Sequence, residues 1–145
     1  MQTFLPYPDY TASAKCLDMR RLGKQRVEVL QLLRALTGQS KGWANHPAAL
    51  MWKGYERNLC EYGMTMCQEW TDRGYKDTCH DKLALIFNTL PTEQFRPPFR
   101  NPPWLGDDAF HAAHRSNLLR KDPDWYGQFG WTEPNDLPYI WPKGE

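Results

Sequence analysis

The stretch LGKQRVEVLQLLRAL at residues 22–36 indicates the fold class of this chain. Apolar side chains recur in it every three or four positions, which is the spacing of one face of an α-helix. These apolar residues are Leu22, Val29, Leu30, Leu33 and Leu36. An amphipathic helix of this length buries its apolar face against other elements, so the stretch predicts a core helix.

Residues that cap and end helices predict the bounds of four helices. Asp9 or Thr11 can cap the first helix, and Gly38 can end it. Asn45 can cap the second helix, and Thr78 can cap the third. The predicted helices span about residues 11–36, 47–73, 79–89 and 107–120.

These elements predict an all-α fold, a compact bundle of about three to four helices that forms a single domain over residues 1–145. The proline-rich residues 91–103 cannot form a regular helix, because proline fixes φ and lacks a backbone donor. Phe95, Phe99 and Trp104 give this segment apolar surface to bury, so we expect a long ordered loop. The aromatic tail at 125–141 is expected to pack across the helices.

Composition is typical of an ordinary globular domain. With 145 residues, 41% of them hydrophobic, the chain can bury a core without a disulfide or a metal ion. The four cysteines show no CxxC spacing, so we expect reduced thiols in the core. No secretion signal and no run of about 18 apolar residues is found. We therefore expect a cytoplasmic monomer that is not bound to a membrane and needs no metal or cofactor.

Positive charge is concentrated in the first third of the chain. The net charge of the whole sequence is only +1, yet seven basic and two acidic residues lie between Lys15 and Lys41. A negatively charged partner is therefore expected to bind at this region and not over the entire surface.

One polar stripe of the first helix could carry chemistry. Arg21, Lys24, Gln25, Glu28 and Gln31 lie on the face opposite the apolar one. A carboxylate among these cations would be held ionised, and it could transfer protons. The alternative is an ordinary solvated face on which Lys24 and Glu28 pair one helical turn apart.

Two further groups of polar residues have surroundings that the sequence leaves open. Arg26 projects toward the apolar side of its helix, which indicates a buried partner, a bound anion or a side chain that extends to solvent. His111 and His114 are three residues apart, and Arg115 and Asn117 follow them. A helix could direct this cluster at a phosphate, at a metal ion or into a polar core.

Several short stretches occur in the order and spacing of a known family. They are the early helix with its glutamate, KGWANHP at 41–47, RGY at 73–75, HRSNLL at 114–119 and DPDWY at 122–126. Together they resemble the pyrimidine-dimer DNA glycosylase family typified by endonuclease V of T-even phages. The similarity spans most of the chain, and no dinucleotide, NTPase, metalloprotease, hydrolase or calcium motif competes with it.

The resemblance implies an all-helical enzyme that flips a base out of double-stranded DNA. It implies that the α-amino group of Met1 displaces a damaged or modified base and forms an imine with the sugar, after which the strand can be cleaved. It also implies that Glu28 opens the sugar and moves protons. α-Amino groups have pKa values of about 8, so a useful fraction of such a group is neutral at neutral pH.

The resemblance and the local charge together suggest a set of DNA-binding residues. They are Arg20, Arg21, Lys24, Gln25, Arg26, His46, His114, Arg115 and Asn117. The arginine and lysine residues among them are predicted to border one basic concavity that binds DNA phosphates. The chain departs from the phage type at Val27, where the family has an arginine before the glutamate. The alternative is a binding module of the same fold that lacks the chemistry and holds phosphates with Arg21, Lys24, Arg115 and Arg120.

Overall fold

The computed structural model describes residues 1–144 and contains helices, turns and extended loops but no β-strand over that range. Seven α-helices follow one another along these residues. They are α1 (Tyr10–Cys16), α2 (Met19–Leu36), α3 (Pro47–Trp52), α4 (Glu56–Asp72), α5 (Cys79–Thr89), α6 (Asp108–Lys121) and α7 (Pro123–Tyr126), with short 3-10 turns at Thr92–Phe95 and Gly127–Phe129. The all-α prediction is confirmed, whereas the predicted three to four helices are too few.

Each of the two long predicted helices is divided in two. The first breaks at Leu17, whose backbone is extended with a ψ of 138°, and a new helix begins after Asp18. The Asp18 carboxylate caps α2 by accepting a hydrogen bond from the Arg21 backbone nitrogen at 3.4 Å. The second breaks at Gly54, where φ is +88°, a value that a side chain would strain. Both breaks therefore have a local cause, a capping carboxylate in one case and a glycine in the other.

Two of the predicted caps differ from those in the structure. His46, not Asn45, caps α3, because its Nδ1 accepts a hydrogen bond from a first-turn backbone nitrogen at 3.0 Å. Asp77, not Thr78, bonds the start of α5, where its carboxylate accepts from two backbone nitrogens. Asp9 caps α1 as predicted, and the bounds of α5 and α6 agree with the prediction to within about one residue.

The core lies between α2, α4 and α5. Leu22, Val29 and Leu33 of α2 are fully buried in it, as their spacing predicts. Gly63 of α4 faces Val29 and Leu83 of α5, and a Cβ added at Gly63 would lie 2.6 Å from Val29 Cγ1. The three helices therefore meet where only a hydrogen atom fits. All four cysteines are unpaired and buried, as predicted.

The start of the chain is an extended, buried segment that runs among the helices. Its backbone groups cannot reach water, so they need partners within the protein. Phe4 N–H donates to Gln25 Oε1 at 2.8 Å, and Leu5 N–H donates to His114 Nδ1 at 2.9 Å. The Tyr62 hydroxyl lies 2.7 Å from the Phe4 carbonyl oxygen. Side chains of α2, α4 and α6 thus fix this segment in place.

The loop after α5 and the tail after α7 pack largely as expected. Trp104 is buried, and its indole N–H donates to a backbone carbonyl oxygen at 2.9 Å. Phe99 is 60% exposed, which corrects the prediction that it is buried. Its ring lies at the surface beside the Arg57 guanidinium, 5.0 Å away. In the tail, Trp131 stacks on the buried Tyr126 with ring centroids 5.7 Å apart.

Gly63→Ala is expected to lower the free energy of unfolding, although alanine is ordinarily favoured over glycine inside a helix by about 1 kcal/mol. The added methyl group would overlap Val29 and Leu83, and overpacking of this kind costs about 1–3 kcal/mol. Gly42→Ala is the control, because nothing lies within 4 Å of a Cβ at that position. Urea denaturation measures both variants, and a Gly63 variant as stable as the parent would show that the three helices are not in tight contact.

Candidate active site

Glu28 of α2 lies beside the first residues of the chain. Its Oε2 accepts a hydrogen bond from the Gln2 backbone nitrogen at 3.2 Å. Because one residue spans at most about 3.6 Å, the Met1 nitrogen lies within roughly 7 Å of this carboxylate oxygen. Both Met1 and Glu28 are partly exposed. A carboxylate and an amine are therefore within reach of one bound molecule.

Gln25, one helical turn before Glu28, holds the same segment from inside the core. Its Nε2 donates to the Gln2 carbonyl oxygen at 2.7 Å, while its Oε1 accepts from Phe4 N–H. The Tyr62 hydroxyl lies 2.7 Å from the same Oε1. Gln25 is only 1% exposed, so its side chain makes these hydrogen bonds inside the protein. Gln25 also borders the cavity described below, so its predicted contact with DNA stays a prediction.

His111 and His114 of α6 bind the backbone of Leu5 from the other side. His111 Nε2 accepts a hydrogen bond from Gly106 N–H at 2.9 Å, so its Nδ1 carries the proton that is donated to the Leu5 carbonyl oxygen at 2.7 Å. Burial, with a smaller contribution from His111, lowers the pKa of His114 to about 3. The His114 ring is therefore neutral, which its role as an acceptor requires.

A cavity of about 480 Å³ opens between the start of the chain, α2 and the end of α6. Ligand pockets in proteins measure roughly 300–1,000 Å³, so this one can hold a small molecule or a nucleotide. It is lined by Met1, Gln2, Phe4, Asp18, Arg20, Arg21, Lys24, Gln25, Glu28, Lys121, Asp122 and Tyr139. Among residues 1–144, no group of three or more His, Cys, Asp or Glu side chains is placed to hold a metal ion.

Four basic side chains form the rim of this cavity. They are Arg20, Arg21, Lys24 and Lys121. Burial lowers the pKa of Lys121, and the positive charges of Arg21 and Lys24 contribute to the same shift, as expected of cations that lie close together. Arg21 also pairs with Asp18 at 3.2 Å, which fixes its position. A rim of this kind attracts phosphate groups.

Arg26 and Arg115 lie away from the cavity, which corrects the prediction that they border it. Arg26 pairs with Asp77 and lies over the Trp70 ring, 4.4 Å from its centroid. A buried partner was one of the possibilities left open for Arg26, and Asp77 is that partner. Arg115 pairs with Glu133 in the tail. Each guanidinium is neutralised by a carboxylate, so both arginines have a structural role.

His114 and Asn117 are also removed from the predicted DNA-binding set, because neither side chain has exposed surface. Asn117 Nδ2 donates to the Ala113 carbonyl oxygen at 2.7 Å and to the Leu137 carbonyl oxygen at 3.1 Å, which holds the tail on α6. The predicted residues that the structure does bring to one cavity are Met1, Arg20, Arg21, Lys24, Gln25 and Glu28.

His46 caps α3 and is absent from the lining of the cavity. Burial lowers the pKa of His46, the positive charge of the chain's amino group lowers it further, and Glu28 opposes both effects. The imidazole is therefore within electrostatic range of both groups that border the cavity.

Lys121 and Tyr139 line the cavity, and neither was identified from the sequence. A signal existed for Lys121, because it is a cation directly after the predicted helix at 107–120, and in the structure it is the last residue of α6. Tyr139 is placed by the tail, whose Leu137 backbone nitrogen donates to Ser116 Oγ at 3.0 Å. No local pattern in the sequence predicts a contact of this kind.

Comparison with known protein families identifies the class of this protein. The family model described as "Pyrimidine dimer DNA glycosylase" matches residues 1–83, which is more than half of the 145 residues. The chain therefore belongs to the pyrimidine dimer DNA glycosylase family. Membership supports a DNA glycosylase function, with DNA as the partner and DNA repair as the process. No curated protein and no solved structure matched the chain.

The matched range contains Met1, Glu28 and most of the basic rim, whereas Lys121 and Tyr139 lie beyond it. The cavity thus combines residues from the matched part with residues from the rest of the chain. None of the helices within residues 1–144 has the length and apolar character needed to cross a membrane.

Stability is expected to fall as the pH is lowered from about 6.5 toward 4.5. In the unfolded chain His114 has an ordinary pKa of about 6.5 and takes up a proton in this range, whereas the folded chain, in which the pKa is about 3, does not. The unfolded state binds more protons, so each such histidine removes about 1.4 kcal/mol of stability per pH unit. Urea denaturation at several pH values measures the slope.

His114→Asn tests which residue causes this slope. Asparagine keeps an acceptor near Leu5 N–H but does not titrate. The slope of the free energy of unfolding against pH should therefore be smaller, by the equivalent of up to about one bound proton. The lost ring volume lowers stability at every pH and does not change the slope. A variant with the slope of the parent would show that His114 is not the titrating group.

Proposed function

We propose that this protein removes a damaged or modified base from double-stranded DNA with the α-amino group of Met1 as the nucleophile. The observation that supports this most is the shared cavity, which Met1 and Glu28 line together. The Glu28 carboxylate lies 3.2 Å from the Gln2 backbone nitrogen, next to the amine. A nucleophile, a proton-transfer group and a phosphate-binding rim would therefore meet at one substrate.

In the proposed reaction, the neutral amine of Met1 attacks C1′ of a deoxyribose whose base has left the duplex stack. A bond forms between C1′ and the amine nitrogen, and the bond from C1′ to the base breaks, so the base leaves with the electron pair and takes up a proton from water. Glu28 then accepts a proton from the amine and delivers it to the sugar ring oxygen. The ring opens and leaves an imine between protein and sugar.

The imine sets up the second proposed step, cleavage of the DNA strand. Withdrawal of electrons by the imine acidifies the neighbouring C2′ of the sugar, so loss of a proton there expels the 3′ phosphate. Glu28 lines the same cavity as Met1, so in this proposal it assists this proton transfer. We therefore include AP-lyase activity in the proposal.

The proposed substrate is an altered base in a duplex. Extrusion of a nucleotide costs a few kcal/mol, and the cost is lowest where the base is damaged or mispaired. Arg20, Lys24 and Lys121 at the rim would bind the phosphates on either side of the extruded nucleotide. These contacts position the strand without reading its sequence.

In this proposal Met1 is the first residue of the mature protein. A residue added before Met1 would convert the reacting amine into an amide, which is not a nucleophile. Intact-protein mass spectrometry establishes which residue is first.

One observation favours a second candidate function, a DNA-binding module without catalysis. The Glu28 carboxylate bonds the Gln2 backbone nitrogen, and such a bond can serve structure alone. The module would hold phosphates with the same basic rim. Covalent trapping distinguishes the two functions, because only the enzyme forms an imine.

Borohydride is expected to trap a covalent adduct between the protein and a duplex that contains a damaged base. Extending the chain before Met1, or replacing Glu28 with glutamine, should lower the trapping rate by a factor on the order of 10² to 10⁴. The urea midpoint should stay close to that of the parent, because glutamine can still accept from Gln2 N–H. Gel separation of the reduced adduct measures the rate.

Lys24→Gln is the control for trapping, because it removes a nearby primary amine and leaves Met1 unchanged. It should weaken binding and still form the adduct. Full trapping by the extended protein would reject the Met1 amine and point to Lys24. A parent protein that binds damaged DNA but never yields an adduct would favour the binding module.

Replacing Arg20 and Lys24 with glutamine is expected to weaken DNA binding and to make it less dependent on salt. Each lost phosphate contact should reduce the slope of log K against log salt by about one. Arg34→Gln is the matched control, because Arg34 is an exposed cation on the same helix but outside the cavity. Fluorescence anisotropy across a salt series measures the slopes, and an unchanged slope in the double variant would place the phosphates elsewhere.

A further inference from the structure

Four aromatic rings form a continuous row that leads from the cavity to the protein surface. The ring centroids of Tyr139 and Trp141 are 5.5 Å apart, those of Trp141 and His46 are 6.0 Å apart, and those of His46 and Trp43 are 5.5 Å apart. Tyr139 lines the cavity described above. We name these four residues the aromatic row.

The two tryptophans of the aromatic row are exposed to solvent. Trp43 is 39% exposed and Trp141 is 37% exposed, whereas Trp52 and Trp104 of the core are 0% and 5% exposed. Exposed tryptophans contribute little to the stability of a core, and their ring surface is open to a ligand.

The tail that carries Tyr139 and Trp141 is fixed to α3. The Gly144 backbone nitrogen donates to the Leu50 carbonyl oxygen at 2.9 Å. A Cβ at Gly144 would lie 2.2 Å from the Lys53 carbonyl oxygen, so only glycine allows this approach. Because α3 is also the helix that His46 caps, the two chain segments that carry the row are both attached to one helix. Rings ordered in advance lose little conformational entropy when they bind a ligand.

Basic residues flank the aromatic row on both of its segments. Lys41 precedes Trp43 in one loop, Lys143 follows Trp141 in the tail, and both lysines are exposed. A ligand suited to this surface has flat rings and negative charge. Nucleic acid with unstacked bases has both properties, since bases stack on aromatic side chains while phosphates pair with cations.

We propose that the aromatic row is a stacking platform for unpaired nucleobases of the DNA strand that enters the cavity. The identity of this ligand rests on the proposed function. The platform adds to the proposed function a binding site built partly from Tyr139 and Trp141, which lie outside the range that the family model matches. Its position beside the cavity would stabilise DNA that has been opened around the reacting nucleotide.

The test compares a fully paired duplex with a duplex that carries one unpaired 2-aminopurine, a fluorescent base whose emission is quenched by stacking. Replacing Trp43 and Trp141 together with alanine should weaken binding of the second duplex at least about tenfold. The quenching should be lost as well. Binding of the paired duplex, and its salt dependence, should not change, because no cation is removed.

Two further variants serve as controls. Phenylalanine at both tryptophan positions keeps an aromatic ring and should restore binding and quenching. Phe99→Ala removes an aromatic ring that is 60% exposed on another surface, and it should leave both duplexes bound as by the parent. Circular dichroism confirms that each variant is folded.

Equal weakening for both duplexes, or no weakening for either, would overturn the platform. The platform would also be overturned if the parent protein dimerises without DNA while the double variant is monomeric and binds both duplexes normally. That result would assign the aromatic row to contact between two copies of the chain. Borohydride trapping on the same proteins keeps the two proposals separate. If trapping succeeds and stacking fails, only the platform is wrong, whereas absence of trapping in the parent rejects the glycosylase mechanism.

Discussion

The buried start of the chain is the constraint on which the rest of the structure depends. An extended segment among helices has no neighbouring strand, yet its backbone donors and acceptors must be bonded. Side chains of three helices bond them here, among them Gln25, Glu28, Tyr62 and His114. A buried group left without its partner costs about 1–3 kcal/mol, so these side chains act together to fix the segment. The position of Met1 at the edge of the cavity follows from this.

The same constraint gives the residues of α2 different roles. Gln25 and Glu28 are one turn apart and both bond the segment, but Gln25 is buried whereas Glu28 is partly exposed in the cavity. Lys24 is exposed at the rim, and Arg26 on another side of the helix is neutralised by Asp77. A single helix therefore supplies a structural face, a carboxylate beside the amine and a basic surface. If the helix were rotated by one residue, the carboxylate and the basic surface would no longer face the cavity.

The helices could be predicted from the sequence because a 3.6-residue apolar spacing and capping residues act locally. Much of the basic rim followed from the same spacing. The break before α2 has a local part, the Asp18 cap, but Asp18 also bonds Tyr126, a residue 108 positions away, and no local pattern indicates that contact. His114 was interpreted as a DNA contact because polar side chains are ordinarily exposed, and only the path of the first residues makes it internal. Tyr139 reaches the cavity by packing of the tail, which depends on the whole fold.

The most direct measurement is the location of the covalent bond in the reduced protein–DNA adduct. Trypsin cleaves after Lys15, so Met1 and Lys24 fall in different peptides, and tandem mass spectrometry assigns the modified nitrogen. We expect the sugar remnant on the α-nitrogen of Met1, in the peptide of residues 1–15. A remnant on Lys24, or on any other lysine, would contradict the central role of the buried first segment, which is to deliver the amine to Glu28.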